Sequence, residues 1–422
     1  MRRLAFALFA ICSWSTEVFA ADRAACPEPL SRASVAPCAL ERSSLVMSAQ
    51  DRTRALQGVR TAALPLFPMN PTLSGSFARR SVPNAPSVWN WSVGLSQEIE
   101  IAGQRGHRID AADADVAAAE QRTVLTKRYV VADALLAYFA VLGARAGLAM
   151  TKQLDAIARS LATAATAAAT AGIISGIDGD LAEIASFRAV QARIGAEGAL
   201  ATAQIELTTR LGHDPTLGRS DAIGDLTPLA GVEADARTAL GLPHPEVVAL
   251  KDEGRAWAAR AALFRAAVVP NVTLSAFVQN DGFDERVLGL GIAFPIPFPQ
   301  PIGRTFVGEA READALADRG SSEATRIDRE RRGRILTALS DYDTQARAVD
   351  AVPADRIERA KISLGAIAQE VSGGRLAVRD AILAQQSLTA LLLEQGSAKL
   401  RLCIASVELA RAASLPLEGG MR

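Results

Sequence analysis

The amino-acid sequence predicts an α+β membrane protein in which long helical hairpins are combined with four membrane-spanning β-strands per chain. Three observations predict this class: short segments in which apolar and polar residues alternate, long helical stretches almost free of proline, and one pattern that is written twice along the chain. The chain has 422 residues, 49% apolar and 5% aromatic, which suits long, closely packed helices. Its 46 Lys and Arg balance its 46 Asp and Glu, so bulk charge does not indicate a nucleic-acid partner.

The N-terminus has the pattern of a secretory signal peptide, residues 1–20. Two arginines precede the apolar run from Leu4 to Trp14, and small residues follow, so cleavage is expected after Ala20. In an oxidising compartment Cys26 and Cys38 either pair across a short loop or stay free. No later segment has the ~18 uninterrupted apolar residues of a membrane helix, so the exported protein is expected to be either soluble or a β-barrel.

Four segments alternate as β-strands do, with apolar residues on one face and polar residues on the other. Each is roughly ten residues long, which is enough to cross a bilayer when the strand is tilted. Their ranges are 72–80, 88–101, 271–280 and 287–298. In residues 88–101 the apolar face carries Trp89 and Trp91. The polar face of the same segment carries Asn90, Ser92, Glu98 and Glu100.

The two halves of the chain repeat each other at an offset of 201 residues. "NPTLS" at 70–74 matches "NVTLS" at 271–275. A Gly-x5-Asp pattern also occurs in both halves, over residues 172–178 and 374–380. A period of this length is too long for a solenoid and indicates duplication of a whole structural unit.

Each half contains a long helical hairpin after its strand pair. The stretch 104–171 has no proline, and one helix over it would be about 100 Å long at 1.5 Å per residue. The hairpins turn at "GIISGIDGD" (172–180) and "SGGRLAVRD" (372–380). The predicted segments are a signal peptide (1–20), an N-terminal periplasmic helical segment (21–70), the first strand pair (71–103), the first hairpin (104–211), a linker with the helix that opens the second repeat (212–269), the second strand pair (270–299), the second hairpin (300–412) and a C-terminal tail (413–422).

Four strands cannot close a barrel alone, because an open sheet edge in lipid leaves backbone groups without hydrogen bonds. A barrel shared by three chains has twelve strands and is wide enough for an aqueous lumen. The polar face from Asn90 to Glu100 would then line the lumen, and Trp89 and Trp91 would face lipid near the head groups. The alternative is a soluble periplasmic coiled-coil protein.

The order of these segments resembles the TolC-like outer-membrane efflux proteins over nearly the whole mature chain. The resemblance is carried by "LPLFPMNPTLSGSF" and "VVPNVTLSAF" before the strands, by "VGLSQEIEIAGQRGHRIDAADADVAAAE" at the strand-to-helix junction, and by the two hairpin tips. Residues 94–120 are most similar to the cobalt–zinc–cadmium (heavy-metal RND) branch of that family. The stretch 28–44 departs from the family, since its two prolines and a cysteine predict an irregular segment.

The resemblance implies a homotrimer whose barrel sits in outer-membrane lipid, with a helical tunnel crossing the periplasm. It also implies two partners, a periplasmic membrane-fusion adaptor and an inner-membrane pump of the RND type. The sequence itself offers no catalytic chemistry, so neither an enzyme nor a cofactor is expected. No HxxH, CxxC or HExxH spacing is present, so no metal site is expected either; the scattered histidines are His107, His213 and His244.

The residues of interest are acids and glycines at the hairpin tips. The resemblance implies that acids ring the narrowed tunnel end, where three copies would repel anions and attract cations. Such acids are Asp178, Asp180 and Asp380. The alternative is that Asp178 and Asp380 cap the returning helices, where negative charge suits the helix dipole. The tip glycines are expected to form the turns and to let an adaptor approach closely; they are Gly172, Gly176, Gly373 and Gly374.

We therefore expect an outer-membrane efflux channel, the exit duct of a tripartite RND-type system in a Gram-negative cell. Heavy-metal cations such as cobalt, zinc, cadmium or nickel are the expected cargo, on the branch resemblance alone. The same channel fold could instead serve multidrug efflux or protein secretion. A soluble periplasmic coiled-coil adaptor is the alternative from another class.

Overall fold

The computed structural model describes residues 26–81, 83, 86–280, 285–298, 302–373 and 375–417. The predicted signal peptide, residues 1–20, lies outside this range. The described residues form nine helices and four strands. In chain order these are α1 (Arg32–Arg42), α2 (Ser44–Ala63), β1 (Thr72–Arg80), β2 (Val88–Ile99), α3 (Gln104–Thr170), α4 (Gly176–Arg210), α5 (Val232–Ala239), α6 (Pro245–Ala266), β3 (Val272–Asn280), β4 (Arg286–Ala293), α7 (Val307–Asp350), α8 (Ala354–Ser372) and α9 (Val378–Ala412).

The four strands form one antiparallel sheet in the order β1-β2-β3-β4. Strand β2 pairs directly with β3, with Leu95 opposite Ala276, although the first helical hairpin lies between them in sequence. The prediction of a fourth strand to residue 298 was wrong, because β4 ends at Ala293. Phe294, Ile296 and Phe298 continue the apolar alternation, but Pro295 and Pro297 between them have no N–H to donate to a neighbouring strand.

The sheet has one apolar and one polar face, as the alternation predicted. The apolar face is exposed in the single chain, with Leu73 at 74% and Leu290 at 85% exposed. The polar face consists mainly of serine, threonine and glycine, for example Ser74 on β1 and Ser92 on β2. A large exposed apolar surface on one side of a sheet needs a non-aqueous environment or a covering partner.

Helix α3 is a single helix of 67 residues, and at 1.5 Å per residue it is about 100 Å long. It packs along α4, α6, α2 and α9. Gly172, with φ 69°, follows the end of α3 and begins the hairpin turn in the left-handed conformation that glycine adopts without strain. Among the described residues α3 is also the one helix long and apolar enough to cross a membrane by length and composition; 44% of its most apolar window is buried.

The second hairpin descends in two helices rather than one, because α7 and α8 are separated at Pro353. Pro353 has no N–H, so the carbonyl of Val349, four residues earlier, loses its helical donor. The side chain of Gln395 on α9 takes that place and donates to the Val349 carbonyl at 3.2 Å. Gln395 is only 8% exposed, so the break in the helix is closed by a buried hydrogen bond.

The main core lies where the middle of α3 meets α1, the end of α4, α5, α7 and α9. Tyr138 and Phe139 are fully buried there, and the Tyr138 hydroxyl donates to the Ile223 carbonyl at 2.7 Å. The expectation of an irregular stretch at 28–44 was wrong, because residues 32–42 form helix α1 despite Pro37. Cys26 and Cys38 form a disulfide with their Cα atoms 5.7 Å apart, which ties the chain before α1 to this helix.

Candidate channel lining and tunnel tips

The polar face of the sheet satisfies its hydroxyl groups within its own wall. Ser76 and Ser92 lie opposite each other and their Oγ atoms are 2.8 Å apart. Ser74 donates to the Gly94 carbonyl at 3.3 Å, and Ser275 donates to the Gly291 carbonyl at 3.2 Å. Asn90 and Ser92, predicted for the lumen, both lie on this face. The face is therefore polar but carries little charge in its middle.

Glu98 and Glu100 lie at the helical end of this face rather than in its middle. Glu98 accepts a hydrogen bond from Asn271 Nδ2 at 2.7 Å. Glu100 follows the end of β2, its side chain is 9% exposed, and it forms an ion pair with Arg108 on α3. Glu100 thus joins the sheet to α3, Glu98 is bound to the residue before β3, and neither acid is a free charge on the polar face of the single chain.

Gln104, which sequence reasoning missed, organises the same junction. It is 3% exposed at the start of α3, and its Nε2 donates to the Val269 carbonyl at 3.2 Å and to Asn271 Oδ1 at 3.3 Å. A cavity of about 480 Å³ lies beside it, between Glu98 and the Pro295–Phe298 segment. One sequence signal could have located Gln104, since it is a polar residue directly after a glycine at the start of a predicted helix. In the structure Gly103 has a φ of 78° and forms the turn into α3.

The two tryptophans predicted to face lipid lie on the apolar face near the start of β2, at the end of the sheet away from the helices. Trp89 is 57% exposed, whereas Trp91 is half-buried opposite Phe77. The Phe77 and Trp89 ring centroids are 5.4 Å apart, and the Arg79 guanidinium lies 6.0 Å from the Trp89 ring. An aromatic cluster with a cation at its rim is typical of the boundary between hydrocarbon and head groups.

At the first tip the helix cap is Ser175, not an aspartate. Ser175 Oγ accepts from the backbone N–H of Asp178 at 3.2 Å and donates to Asp178 Oδ2 at 3.0 Å. Asp178 therefore lies in the first turn of α4, where its charge suits the helix dipole without being the N-cap. Asp180 is exposed, and Gly176 is the first residue of α4.

The second tip lacks a side-chain cap, because Ala377 precedes α9. Asp380 is exposed in the first turn of α9, so it too is not the N-cap. Gly373 ends α8, and Gly374 lies outside the described residues. Arg375 donates to Glu370 at 2.6 Å, and this guanidinium holds the pKa of the Glu370 carboxyl below its ordinary value.

The two tips of one chain approach each other through an ion pair that sequence reasoning missed. Arg379 on α9 lies 3.6 Å from Asp178 on α4. Asp178 is thus already paired within the chain, whereas Asp180 and Asp380 are exposed. A pairing between positions 178 and 379 has no local signal in the sequence. Across the described residues no group of three or more His, Cys, Asp or Glu side chains could hold a metal ion.

Comparison with known proteins gives a family match over part of the chain and a similar fold over most of it. Residues 38–213 match the model of the outer membrane efflux protein family. No curated protein matches the chain. Among solved structures, the channel protein CusC is 15% identical, with a TM-score of 0.72 over 90% of this chain and 91% of CusC. The outer membrane protein VceC from Vibrio cholerae is 17% identical, with a TM-score of 0.71 over 92% of this chain and 96% of VceC. The Campylobacter jejuni CmeC outer membrane channel is 16% identical, with a TM-score of 0.68 over 93% of this chain and 86% of CmeC.

Proposed function

Because residues 38–213 match the model of the outer membrane efflux protein family, we propose that the chain is the exit duct of a tripartite RND-type efflux system. This match supports an outer-membrane transport protein rather than an enzyme. The fold agrees over about nine tenths of the chain with channels such as CusC and VceC. The proposal adds the homotrimer, the adaptor and pump partners, and the cargo.

The observation that carries the proposal is the sheet with one exposed apolar face. Strands β1 and β4 are the outer strands of this sheet, so each has an edge that no other described strand covers. Open edges in lipid leave N–H and C=O groups without partners, which a closed barrel avoids. Three copies supply twelve strands, joining β4 of one chain to β1 of the next. A soluble periplasmic adaptor would have no use for this apolar face.

A second apolar stripe supports the same assembly outside the membrane. On α4, Ile177, Leu181, Ile184 and Phe187 recur every three or four residues and stay exposed in the single chain. An exposed stripe of this length in an aqueous compartment needs a partner surface. In the proposed trimer, a neighbouring copy of the chain covers the stripe, and the three hairpin pairs enclose the tunnel.

For the tunnel tip we propose the roles that the sequence predicted for its acids and glycines. Asp180 and Asp380, which are exposed in one chain, would line the constriction with Asp178, whose partner Arg379 holds the two hairpins together. Gly172 and its neighbours Gly176, Gly373 and Gly374 would leave room for the adaptor. Breaking the Asp178–Arg379 pair with Arg379→Ala would then loosen the closed end.

For the cargo we propose heavy-metal cations, supported by the resemblance of residues 94–120 to the cobalt–zinc–cadmium branch. The lumen face carries few charges, so selection of the cargo would belong to the pump. The multidrug and protein-secretion alternatives share every structural feature described above. Deleting the gene and comparing tolerance to Zn, Co, Ni and Cd salts with tolerance to dyes and antibiotics separates them: loss of metal tolerance alone supports the proposal, and loss of dye tolerance alone contradicts it.

The assembly is tested by native mass spectrometry of detergent-extracted protein from separated inner and outer membranes. We expect a trimer in the outer-membrane fraction. Phe187→Glu should weaken the trimer, whereas Arg188→Glu, the same new side chain one residue away, should leave it intact. A monomer in the soluble periplasm would contradict the shared barrel.

A further inference from the structure

One aromatic side chain lies on the polar face of the sheet. Among the described strand residues of that face, Phe277 on β3 is the only aromatic, and the others are mostly Ser, Thr, Gly and Ala. Its direct neighbours are Gly94 on β2 and Gly289 on β4. The largest group of this face therefore lies in a row between two residues without side chains.

The Phe277 ring leans along the sheet onto Gly289. A methyl group added at Gly289 would lie 2.3 Å from Cζ and 2.6 Å from Cε1 of Phe277. A methyl group at Gly94 would lie 3.0 Å from Ser74 Oγ and 3.6 Å from the Ala276 carbonyl oxygen, and the nearest atom of Phe277 would be its Cβ, at 3.6 Å. The far end of the ring thus covers Gly289, and the space over Gly94 is free of the ring. Aromatic cover of a cross-strand glycine is a known way to shield exposed strand backbone.

We propose that Gly289 leaves the space in which the Phe277 ring lies flat against the lumen wall, and that this pair thereby keeps the duct clear at mid-barrel. The proposal rests on the shared barrel described above, in which the polar face lines the lumen. Side chains of a strand normally stand roughly perpendicular to the sheet. In a three-chain barrel, three rings standing that way would point at one another across the lumen.

The consequence is that any side chain at position 289 should lift the ring. A Cβ closer than 3.0 Å to other atoms forces a shift, and here the ring is the part that can rotate away from the wall. Gly289→Ala is therefore expected to narrow the lumen in three places at once. Phe277→Ala should cancel that effect, since no ring is then left to lift.

The test measures access through the barrel from outside intact cells. Ser275 and Gln279 lie on the same face as Phe277, Ser275 towards the helices and Gln279 towards the opposite end of the strand. Each is replaced, one at a time, by cysteine. In a Cys403→Ala background, a bulky membrane-impermeant maleimide is added outside and the labelling rate of each cysteine is measured. Gly289→Ala should slow labelling at Ser275→Cys by about threefold or more, because passage past a constriction depends on the pore diameter. Labelling at Gln279→Cys should not change.

Two further variants complete the design. Phe277→Ala together with Gly289→Ala should restore the Ser275→Cys rate. Gly75→Ala adds the same methyl group to the opposite face, where a Cβ meets only the Ser92 carbonyl oxygen at 3.8 Å, and should leave the rate unchanged. Equal rates with and without Gly289→Ala would overturn the proposal.

Phe277→Ala alone keeps the proposal testable if Gly289→Ala fails to assemble. A ring that lies on the wall blocks little, so Phe277→Ala should change the Ser275→Cys rate by less than about twofold. A tenfold rise would mean that the ring already stands across the lumen and would overturn the proposal. Failure of the barrel itself looks different: Val278→Cys, on the apolar face, would then label as fast as Gln279→Cys in the otherwise unchanged chain.

Discussion

The first half of the chain descends to its tip in one helix of 67 residues, whereas the second half uses α7 of 44 and α8 of 19 residues. At the repeat offset of 201 residues, Pro353 corresponds to Lys152; from the tips onward the Gly-x5-Asp patterns match at an offset of 202, so Gln395 corresponds to Arg193. The second half therefore has both the proline that interrupts the helix and the amide that repairs it, and the first half has neither. Duplication preserved the order of the elements, and a pair of single residues decides whether a hairpin arm is continuous or jointed.

A second difference concerns the helices that open the two halves. Ser43 precedes α2, and His244, at the same offset, precedes α6. Ser43 Oγ accepts from the Val46 N–H at 3.3 Å, and His244 Nδ1 accepts from the Glu246 N–H at 3.2 Å. The two residues cap their helices in the same way, but only the histidine side chain can take up a proton in mildly acidic solution once the chain is unfolded. The halves should therefore respond differently to acid.

The largest effect is expected from placing a proline in the continuous arm. Lys152→Pro removes the N–H that bonds to the Leu148 carbonyl and adds a clash between the proline ring and that carbonyl. The Thr151 hydroxyl still donates to the same carbonyl at 3.1 Å, so the clash is the main cost. We expect a loss of about 3 kcal/mol or more in the free energy of unfolding. Thermal unfolding followed by circular dichroism measures the loss, with Lys152→Ala as the near-neutral control. An unchanged midpoint would mean that α3 is not a continuous helix.

Acid should destabilise the second half through His244. Burial, then the nearby Arg331 and Arg334, lower the pKa of His244 to about 4. The unfolded chain binds this proton below about pH 6.5 and the folded chain does not, so stability falls as the pH drops from 6.5 towards 4, by up to about 3 kcal/mol. His244→Asn keeps a cap acceptor and should remove this pH dependence, while His107→Asn should not. The free energy of unfolding is measured against pH for the unchanged chain and for both variants. The same pH dependence in all three would contradict the assignment of the acid effect to His244.

The break between α7 and α8 should be stabilised by Gln395. Gln395→Leu leaves the half-buried Val349 carbonyl without this donor, which should cost about 1–2 kcal/mol and speed amide exchange around Pro353. Gln385 is a matched control, since it lies on the same helix with the same 8% exposure. Its Oε1 is buried without a protein partner, so Gln385→Leu should cost little or stabilise. Equal losses for both variants would remove the special role of Gln395.

The smallest effect is expected at the tips, where the first hairpin has a side-chain cap and the second does not. Ser175→Ala should cost about 1 kcal/mol at the start of α4. Ala377→Ser should add a cap to α9 and make the two tips alike. Hydrogen exchange of the first-turn amides measures both changes. No gain at Ala377→Ser would show that the tip backbone does not present its N–H groups to residue 377.

Local patterns account for what could be predicted from the sequence. Period-two alternation located β1, β2 and β3, and the absence of proline located α3 almost to the residue. The same alternation extended β4 too far, since Phe294 and Ile296 continue the apolar pattern while Pro295 and Pro297 cannot donate hydrogen bonds. The break at Pro353 could not be predicted, because whether a proline ends a helix depends on partners that are distant in sequence, here Gln395.

In the candidate site, too, positions set by a local motif could be predicted, whereas contacts between distant segments could not. The tip positions of Asp178 and Asp380 follow from a repeated motif, but Arg379 as a partner of Asp178 does not, since that contact joins two hairpins. Glu100 was assigned to the lumen on its place in the alternation alone. Its pairing with Arg108 depends on how α3 leaves the sheet, which no period in the sequence encodes.

The direct pairing of β2 with β3 also governs how the protein can be made. Ile99 must meet Val272, and everything from α3 to α6 lies between them. Such a non-local contact forms late, because ordering a long intervening chain comes first. Until then two separate strand pairs expose apolar surface and unpaired edges, which are the features that drive aggregation. We therefore expect biogenesis to depend on a holding chaperone in the periplasm, and the yield of overproduced protein to be limited at this step.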